Sequence, residues 1–203
     1  MFFITQTMSD IRLTSPEKLQ DWLLANNEPK FRLGQIQEWI WMKQARGFDQ
    51  MSNLSKSLRE KLSADFEFKC LTVDMQQNSN DGTIKTRFKL WDGNLIESVL
   101  IPVPADNRFT VCVSTQVGCS LTCKFCATGR MGRIRNLDYP EIYDQVVMVH
   151  EQCMQVFNHP LTNIVYMGMG EPLLNYSNTL QSIHYITSPK GLRISPSRST
   201  LST

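Results

Sequence analysis

Between Thr14 and about Leu62, apolar residues recur three and four positions apart. In TSPEKLQDWLL, Leu19, Trp22 and Leu23 fall on one face of a helix. Ser15 is placed to cap it, and Pro16 takes the first helical position, where a missing N–H costs nothing. GQIQEWIWMKQ repeats the pattern with Ile36, Trp39, Ile40 and Lys43, and NLSKSLREKL spaces Leu54, Leu58 and Leu62 four apart. The spacing predicts three short amphipathic helices in a small bundle, and their mutual packing is enough to explain the apolar stripes.

After Ala64 the period falls to two. FEFKCLTVDM, TIKTRFKLW and NLIESVLIP alternate or run apolar, with Asp81-Gly82 and Asp92-Gly93 supplying turn residues between them. This pattern predicts an antiparallel meander. Leu95, Glu97, Val99 and Ile101 share one face by parity, which sets the Glu97 carboxylate among apolar neighbours. Two readings of Glu97 stay open at this point: an edge position reaching water, or a base whose proton affinity is raised by desolvation.

From Phe109 onward, strand and helix patterns alternate. FTVCVST reads as a strand, DYPEIYDQVVMVHEQCMQV as a helix, TNIVYMGMG as a buried strand ending in glycines, NYSNTLQSIHYI as a second helix, and RSTLST as a strand beginning. Alternation of this kind predicts an α/β fold of parallel strands with crossover helices. The expected organisation is a helical domain over 1–64, a linking meander over 65–107, and part of a (β/α) barrel over 108–203. A closed barrel of this type takes roughly 200 residues by itself, so the chain is expected to be a fragment.

Composition narrows the picture. The 203 residues are 41% apolar and 20% charged, and no run approaches the ~18 apolar residues of a membrane span. The opening MFFITQTMSDIRL has no basic leader and an early Asp10, which predicts a cytoplasmic protein without a membrane partner. A net charge of +2 argues neither for nor against nucleic acid. Cytosolic thiols stay reduced, so clustered cysteines there are metal ligands or catalysts before they are disulfides.

The cysteines are clustered. VCVSTQVGCSLTCKFCATGR holds Cys112, Cys119, Cys123 and Cys126. A structural zinc site uses two close pairs separated by a longer loop, whereas here only Cys123 and Cys126 form such a pair. A small core hydrophobe is the default for Cys70 and Cys153 but does not explain a C-x3-C-x2-C run beside Gly118 and Gly129. An iron–sulfur cluster is the third reading, since thiolates suit iron and sulfide. Three ligands would leave one metal position open, and an open position separates a reactive site from a structural one.

GCSLTCKFCATG after a strand resembles the radical S-adenosylmethionine (SAM) loop. The wider pattern, CVSTQVGC before it, RNL, and then VYMGMGEPLLN, resembles the RlmN-type rRNA and tRNA adenine methyltransferases of the RlmN/Cfr family. FRLGQIQEWIWMKQARGFDQMSNLSKSLREKL is similar to that family's amino-terminal helical domain. The resemblance covers nearly the whole chain and implies a partial radical SAM barrel over 108–203. It implies that Cys119, Cys123 and Cys126 ligate a 4Fe–4S cluster, that SAM chelates the open iron, and that a reduced cluster cleaves SAM to a 5′-deoxyadenosyl radical. It further implies SAM contacts at Gly170, Glu171 and Ser202. Glycines at a strand end let backbone approach a ligand closely, and a carboxylate can accept from an ammonium.

Two residues are implied to act without binding the cluster. Cys112 matches the cysteine that attacks a methylated partner cysteine, forming a disulfide and releasing methylated RNA. Glu97 matches the proton acceptor, which favours its second reading. The expected activity is methylation of carbon 2 of an adenosine in 23S rRNA and tRNA, with an external electron donor, in a monomer. A Cfr-type carbon-8 enzyme, a zinc-stabilised RNA-binding module and an inert remnant are the alternatives. No cysteine follows Cys153, so the methyl-carrying residue is expected to be missing, and Arg133 stands where the family commonly has an aromatic residue. Lys124, Arg130, Arg133 and Arg135 form a stretch without acidic residues, suited to phosphate contacts.

Overall fold

The computed structural model describes residues 8–203. The start of the opening stretch, 1–7, read above for the lack of a leader, lies outside the described residues. Among the described residues no helix is long and apolar enough to cross a membrane. The chain divides into two compact units, one ending at Lys69 and one spanning Cys70–Thr203.

Among the described residues, the first unit contains β1 (Ser9–Asp10), α1 (Pro16–Ala25), α2 (Arg32–Trp41), α3 (Lys56–Asp65) and β2 (Phe66–Glu67), in that order. Ser15 caps α1 by accepting from the Lys18 N–H, with Pro16 just inside, and Ser55 caps α3 by accepting from the Leu58 N–H. Leu19, Leu23, Ile36, Ile40, Leu54, Leu58 and Leu62 of the stripes the helical spacing predicts are buried, whereas Trp22 and Trp39 are half-buried and Lys43 is exposed. Trp41, outside those stripes, is buried as well. The unit also contains a short parallel pairing of β1 with β2 that the sequence pattern does not announce. A buried ion pair steadies it: Arg12 Nη2 donates to Asp10 Oδ2 at 2.8 Å, and the same oxygen accepts from the Lys69 N–H at 3.2 Å.

The second unit is built on one sheet. Its strands are β3 (Thr72–Asn78), β4 (Ile84–Lys89), β5 (Leu95–Val103), β6 (Arg108–Cys112), β9 (Asn163–Tyr166) and β10 (Ser199–Leu201). A separate ladder joins β7 (Gln116–Val117) to β8 (Arg135–Asn136), and α4 (Tyr139–Phe157) and α5 (Tyr176–Thr187) are the crossovers. The sheet order is β10-β9-β6-β5-β4-β3. β3 to β6 run antiparallel, while β6, β9 and β10 are parallel. The meander strands β3 to β5 and the strands expected to open the barrel therefore share one sheet, whereas Phe66–Glu67, expected at the start of the meander, pair with β1 in the first unit.

One face of that sheet carries Ile84, Thr86, Phe88, Ile96, Ser98, Leu100, Phe109, Val111, Ile164 and Tyr166, all buried. The helices cover it: Ser98 bonds Gln145 of α4 at 2.8 Å, Thr86 bonds Gln152 of α4 at 3.1 Å, and Tyr166 bonds Ser182 of α5 at 3.0 Å. The other face carries Lys85, Arg87, Glu97, Val99, Ile101, Thr110, Cys112, Asn163 and Val165, which are half-buried or exposed. Successive strand residues point to opposite faces, so this single parity fixes which side chains can meet a ligand.

Candidate functional site

The site is assembled where the carboxyl ends of β6 and β9 meet. Past Cys112 the chain continues through Val113, Ser114, Thr115 and Gln116, all buried, before the cysteine loop opens at Gly118. This segment lies against the turn after β9. Thr115 and Gln116 donate their N–H groups to the Met169 carbonyl at 2.9 and 3.1 Å, and Gly168 donates to the Val113 carbonyl at 3.0 Å. Side chains complete the seam, with Ser114 Oγ accepting from the Met169 N–H at 2.9 Å and Gln116 Oε1 from the Glu171 N–H at 2.9 Å. Gly170 has φ +95°, and a Cβ on it would come within 2.5 Å of the Gln116 Cβ, so only glycine allows this approach.

The cysteine loop leaves this seam at β7 and returns at β8. Ile134 donates to the Val117 carbonyl at 2.9 Å and Leu137 to the Thr115 carbonyl at 3.0 Å, which clips the two legs together. Gly118 has φ +73°, and a Cβ there would lie 1.8 Å from the Gly132 carbonyl oxygen. Within the loop, Cys119 is buried and its Sγ accepts from the Leu121 N–H at 3.4 Å. Cys123 is exposed and Cys126 half-buried. The Gly129 N–H, opposed by slight burial and joined by Thr128, holds the Cys126 thiol below its ordinary pKa. Phe125, between the last two cysteines, is 93% exposed.

Among the described residues no three His, Cys, Asp or Glu side chains converge as ligands of one metal ion. An iron–sulfur cluster takes its thiolates on different irons, so its cysteines surround an inorganic body instead of converging on a point. Three soft donors on one loop, one of them biased toward thiolate by backbone N–H groups, fit that group chemically.

Glu97 and Cys112 share the open face of the sheet. Cys112 pairs with Val99 across β5 and β6, two residues along the strand from Glu97. Burial pushes the Cys112 thiol up, against an opposing hydrogen bond from the Met167 backbone. The desolvated setting expected for Glu97 is corrected by the structure. Its side chain is 42% exposed and pairs with Lys85 Nζ at 3.2 Å, because β4 supplies Lys85 and Arg87 to the same face. A cavity of about 240 Å³ lies there, lined by Met75, Gln77, Lys85, Arg87 and Glu97.

Of the remaining candidates, Glu171 sits beside Gln116, but its side chain accepts from the Leu173 N–H at 3.0 Å and caps the short turn Pro172–Asn175. Ser202 is exposed just beyond Leu201, the partner of Tyr166. Lys124, Arg130 and Arg133 are exposed on the loop, whereas Arg135 is engaged by Asp92 and Glu141 and is not free for a phosphate. Sequence reasoning misses the polar residues that knit the seam. Gln145, fully buried on α4, accepts from Ser98 Oγ and the Ser114 N–H and donates to the Ser114 carbonyl. Asn175 Nδ2 donates to the Thr115 and Leu137 carbonyls at 2.8 and 2.7 Å. The signal for them is the polar run Ser114-Thr115-Gln116 continuing directly from an apolar strand.

Comparison with known proteins bears on this arrangement. The family model described as the ribosomal RNA large subunit methyltransferase N-terminal domain matches residues 10–68. A probable dual-specificity RNA methyltransferase RlmN of Cytophaga hutchinsonii is 55% identical over 193 residues, 95% of this chain and 52% of that relative. Its counterpart in Flavobacterium johnsoniae is 50% identical over 194 residues, 96% of this chain and 55% of the relative. The crystal structure of a radical SAM methyltransferase from Sphaerobacter thermophilus matches with a TM-score of 0.83 at 39% identity, covering 96% of this chain and 57% of that one. The chain thus spans about half the length of the curated relatives it matches.

Proposed function

The chain belongs to the RlmN family, and from that membership we propose that it forms the front unit and the first barrel strands of a radical SAM enzyme. That enzyme methylates carbon 2 of an adenosine in 23S rRNA and in tRNA. The observation that carries the reading is the seam. The segment leading into the three-cysteine loop is bonded along its length to the Met167–Glu171 turn, so a cofactor reaching the loop meets that turn.

Cys119, Cys123 and Cys126 would hold a 4Fe–4S cluster, with Gly170, Glu171 and Ser202 as SAM contacts. When bound, the cluster supplies one-electron reduction of SAM. Cys112, on the open face, would form a disulfide with the methyl-carrying cysteine. Its rest state is the protonated thiol, because burial disfavours the thiolate. Glu97, on the same face and paired with Lys85, would take the proton lost from the adenine carbon. Lys124, Arg130 and Arg133, exposed around Phe125, suit phosphate contacts beside the cysteine loop. No cysteine follows Cys153, so the methyl-carrying residue is expected from the part of the relatives' length that this chain does not span. A cytoplasmic monomer reduced by an external donor completes the proposal.

The test is anaerobic reconstitution with iron and sulfide. About four irons per chain and a brown colour are expected, with loss of both in each of Cys119→Ser, Cys123→Ser and Cys126→Ser. A colourless protein holding zinc would replace the reading with a zinc-stabilised RNA-binding module.

A further inference from the structure

Arg135 stands where the cysteine loop rejoins the fold. It lies in β8, paired with Val117 of β7, so it marks the end of the loop's return leg. Its guanidinium is shared among three segments. Nη1 and Nη2 donate to Glu141 Oε2 and Oε1 at 2.7 and 2.8 Å, which is a forked pair with the first turn of α4. Nε donates to Asp92 Oδ2 at 2.6 Å, in the turn that leads into β5 and Glu97. Nη1 also donates to the Asn136 carbonyl at 3.0 Å, and the Trp91 ring centroid lies 5.8 Å from the guanidinium carbon.

The partners are themselves fixed. The Glu141 side chain is only 3% exposed and accepts from the Asp138 N–H at 2.9 Å, while Asp92 accepts from the Asn94 N–H at 3.1 Å. Burial opposes the charge of Arg135, but the bonds to Glu141 and Asp92 outweigh it and raise its pKa. By contrast, the cysteine loop's own hydrogen bonds, such as Cys126 N–H to the Cys123 carbonyl and Met131 N–H to the Thr128 carbonyl, tie its turns to one another.

We propose that Arg135 is a positioning residue for the cysteine loop. By gripping Glu141 and Asp92 together, it anchors the return leg to α4 and to the β4–β5 turn, so that the loop holds its thiols ready for the cluster. This inference rests on the reading that Cys119, Cys123 and Cys126 ligate iron and sulfide. A planar fork matched to a carboxylate is what distinguishes arginine from lysine at such a place.

The experiment compares wild type, Arg135→Met and Arg135→Lys after anaerobic reconstitution, well below their melting midpoints. It follows iron loss to a ferrous chelator and hydrogen exchange at the Ile134 and Leu137 amides in the iron-free protein. Gln152→Ala, which breaks the buried Thr86–Gln152 pair within the same unit, controls for a general loss of stability. Iron loss on the order of tenfold faster in Arg135→Met, an intermediate rate in Arg135→Lys and a wild-type rate in Gln152→Ala are expected, with faster exchange at the two amides. Equal rates in wild type and Arg135→Met, or equal acceleration by Gln152→Ala, overturn the inference. If Arg135→Met does not fold, Asp92→Ala removes one arm of the clamp alone; several-fold faster loss supports the proposal and a wild-type rate overturns it. Wild-type protein that loads no iron instead defeats the cluster reading beneath it.

Discussion

At the scale of single residues, environment decides what each candidate group can do. Cys112 is raised by burial, so less of it is thiolate at neutral pH than in an ordinary cysteine. Only the thiolate is nucleophilic. Alkylation of Cys112 followed by site-resolved mass spectrometry is therefore expected to be slower at neutral pH than that of a model-peptide cysteine, and to rise through a higher pH. A profile at or below the peptide's would contradict the buried placement. Two glycines should respond with opposite signs. Alanine at Gly118 must adopt φ +73° with its Cβ against the Gly132 carbonyl, and it is expected to cost about 2 kcal/mol or more in chemical denaturation. Alanine at Gly34, inside α2 with nothing within 4 Å of its Cβ, is expected to stabilise by about 0.5–1 kcal/mol.

At the scale of elements, α4 acts as both a cover and a lattice point for polar bonds. Gln145 makes bonds to β5 through Ser98 and to the segment after β6 through both backbone groups of Ser114. Ser114 in turn holds the Glu97 carbonyl and the Met169 N–H. Gln145→Leu leaves the buried Ser114 N–H without its acceptor, a loss of about 2–4 kcal/mol read from the denaturant midpoint at constant slope. This network also marks how far the sequence can be read. Period gives α1, α4, β4 and β5 close to their bounds, because burial of one face writes itself into local spacing, whereas the FEFKCLTVDM run is split between β2 and β3, and the short strands β1, β7 and β8 leave no periodic trace. The C-x3-C-x2-C run and the MGMGE turn are local strings and are equally legible. Buried amides such as Gln145 and Asn175 carry no signature on their own segments, since their partners lie in the polar run Ser114-Thr115-Gln116, distant in sequence. The setting of Glu97 is hidden for the same reason: its own strand shows apolar neighbours, and the lysine beside it comes from β4.

At the scale of the molecule, each of the two compact units has its own buried apolar residues: Leu23, Ile36, Leu58 and Leu62 in the first, Val111, Ile142, Val146 and Ile164 in the second. Two cores connected by one chain are expected to unfold as two cooperative steps and not one. Leu58 is fully buried on α3, and its truncation to alanine removes about 2–5 kcal/mol from the unit that contains it. Calorimetry of Leu58→Ala is expected to lower one transition while leaving the other where it stands, and Gln145→Leu should do the converse. Because the candidate cysteines, Glu97 and the turn after β9 all belong to the second unit, iron binding should raise only the transition that Gln145→Leu lowers. That follows from mass action on the folded unit that binds the ligand. A single transition displaced equally by both substitutions would mean that the front helices and the sheet share one cooperative core, and iron would then stabilise the whole chain.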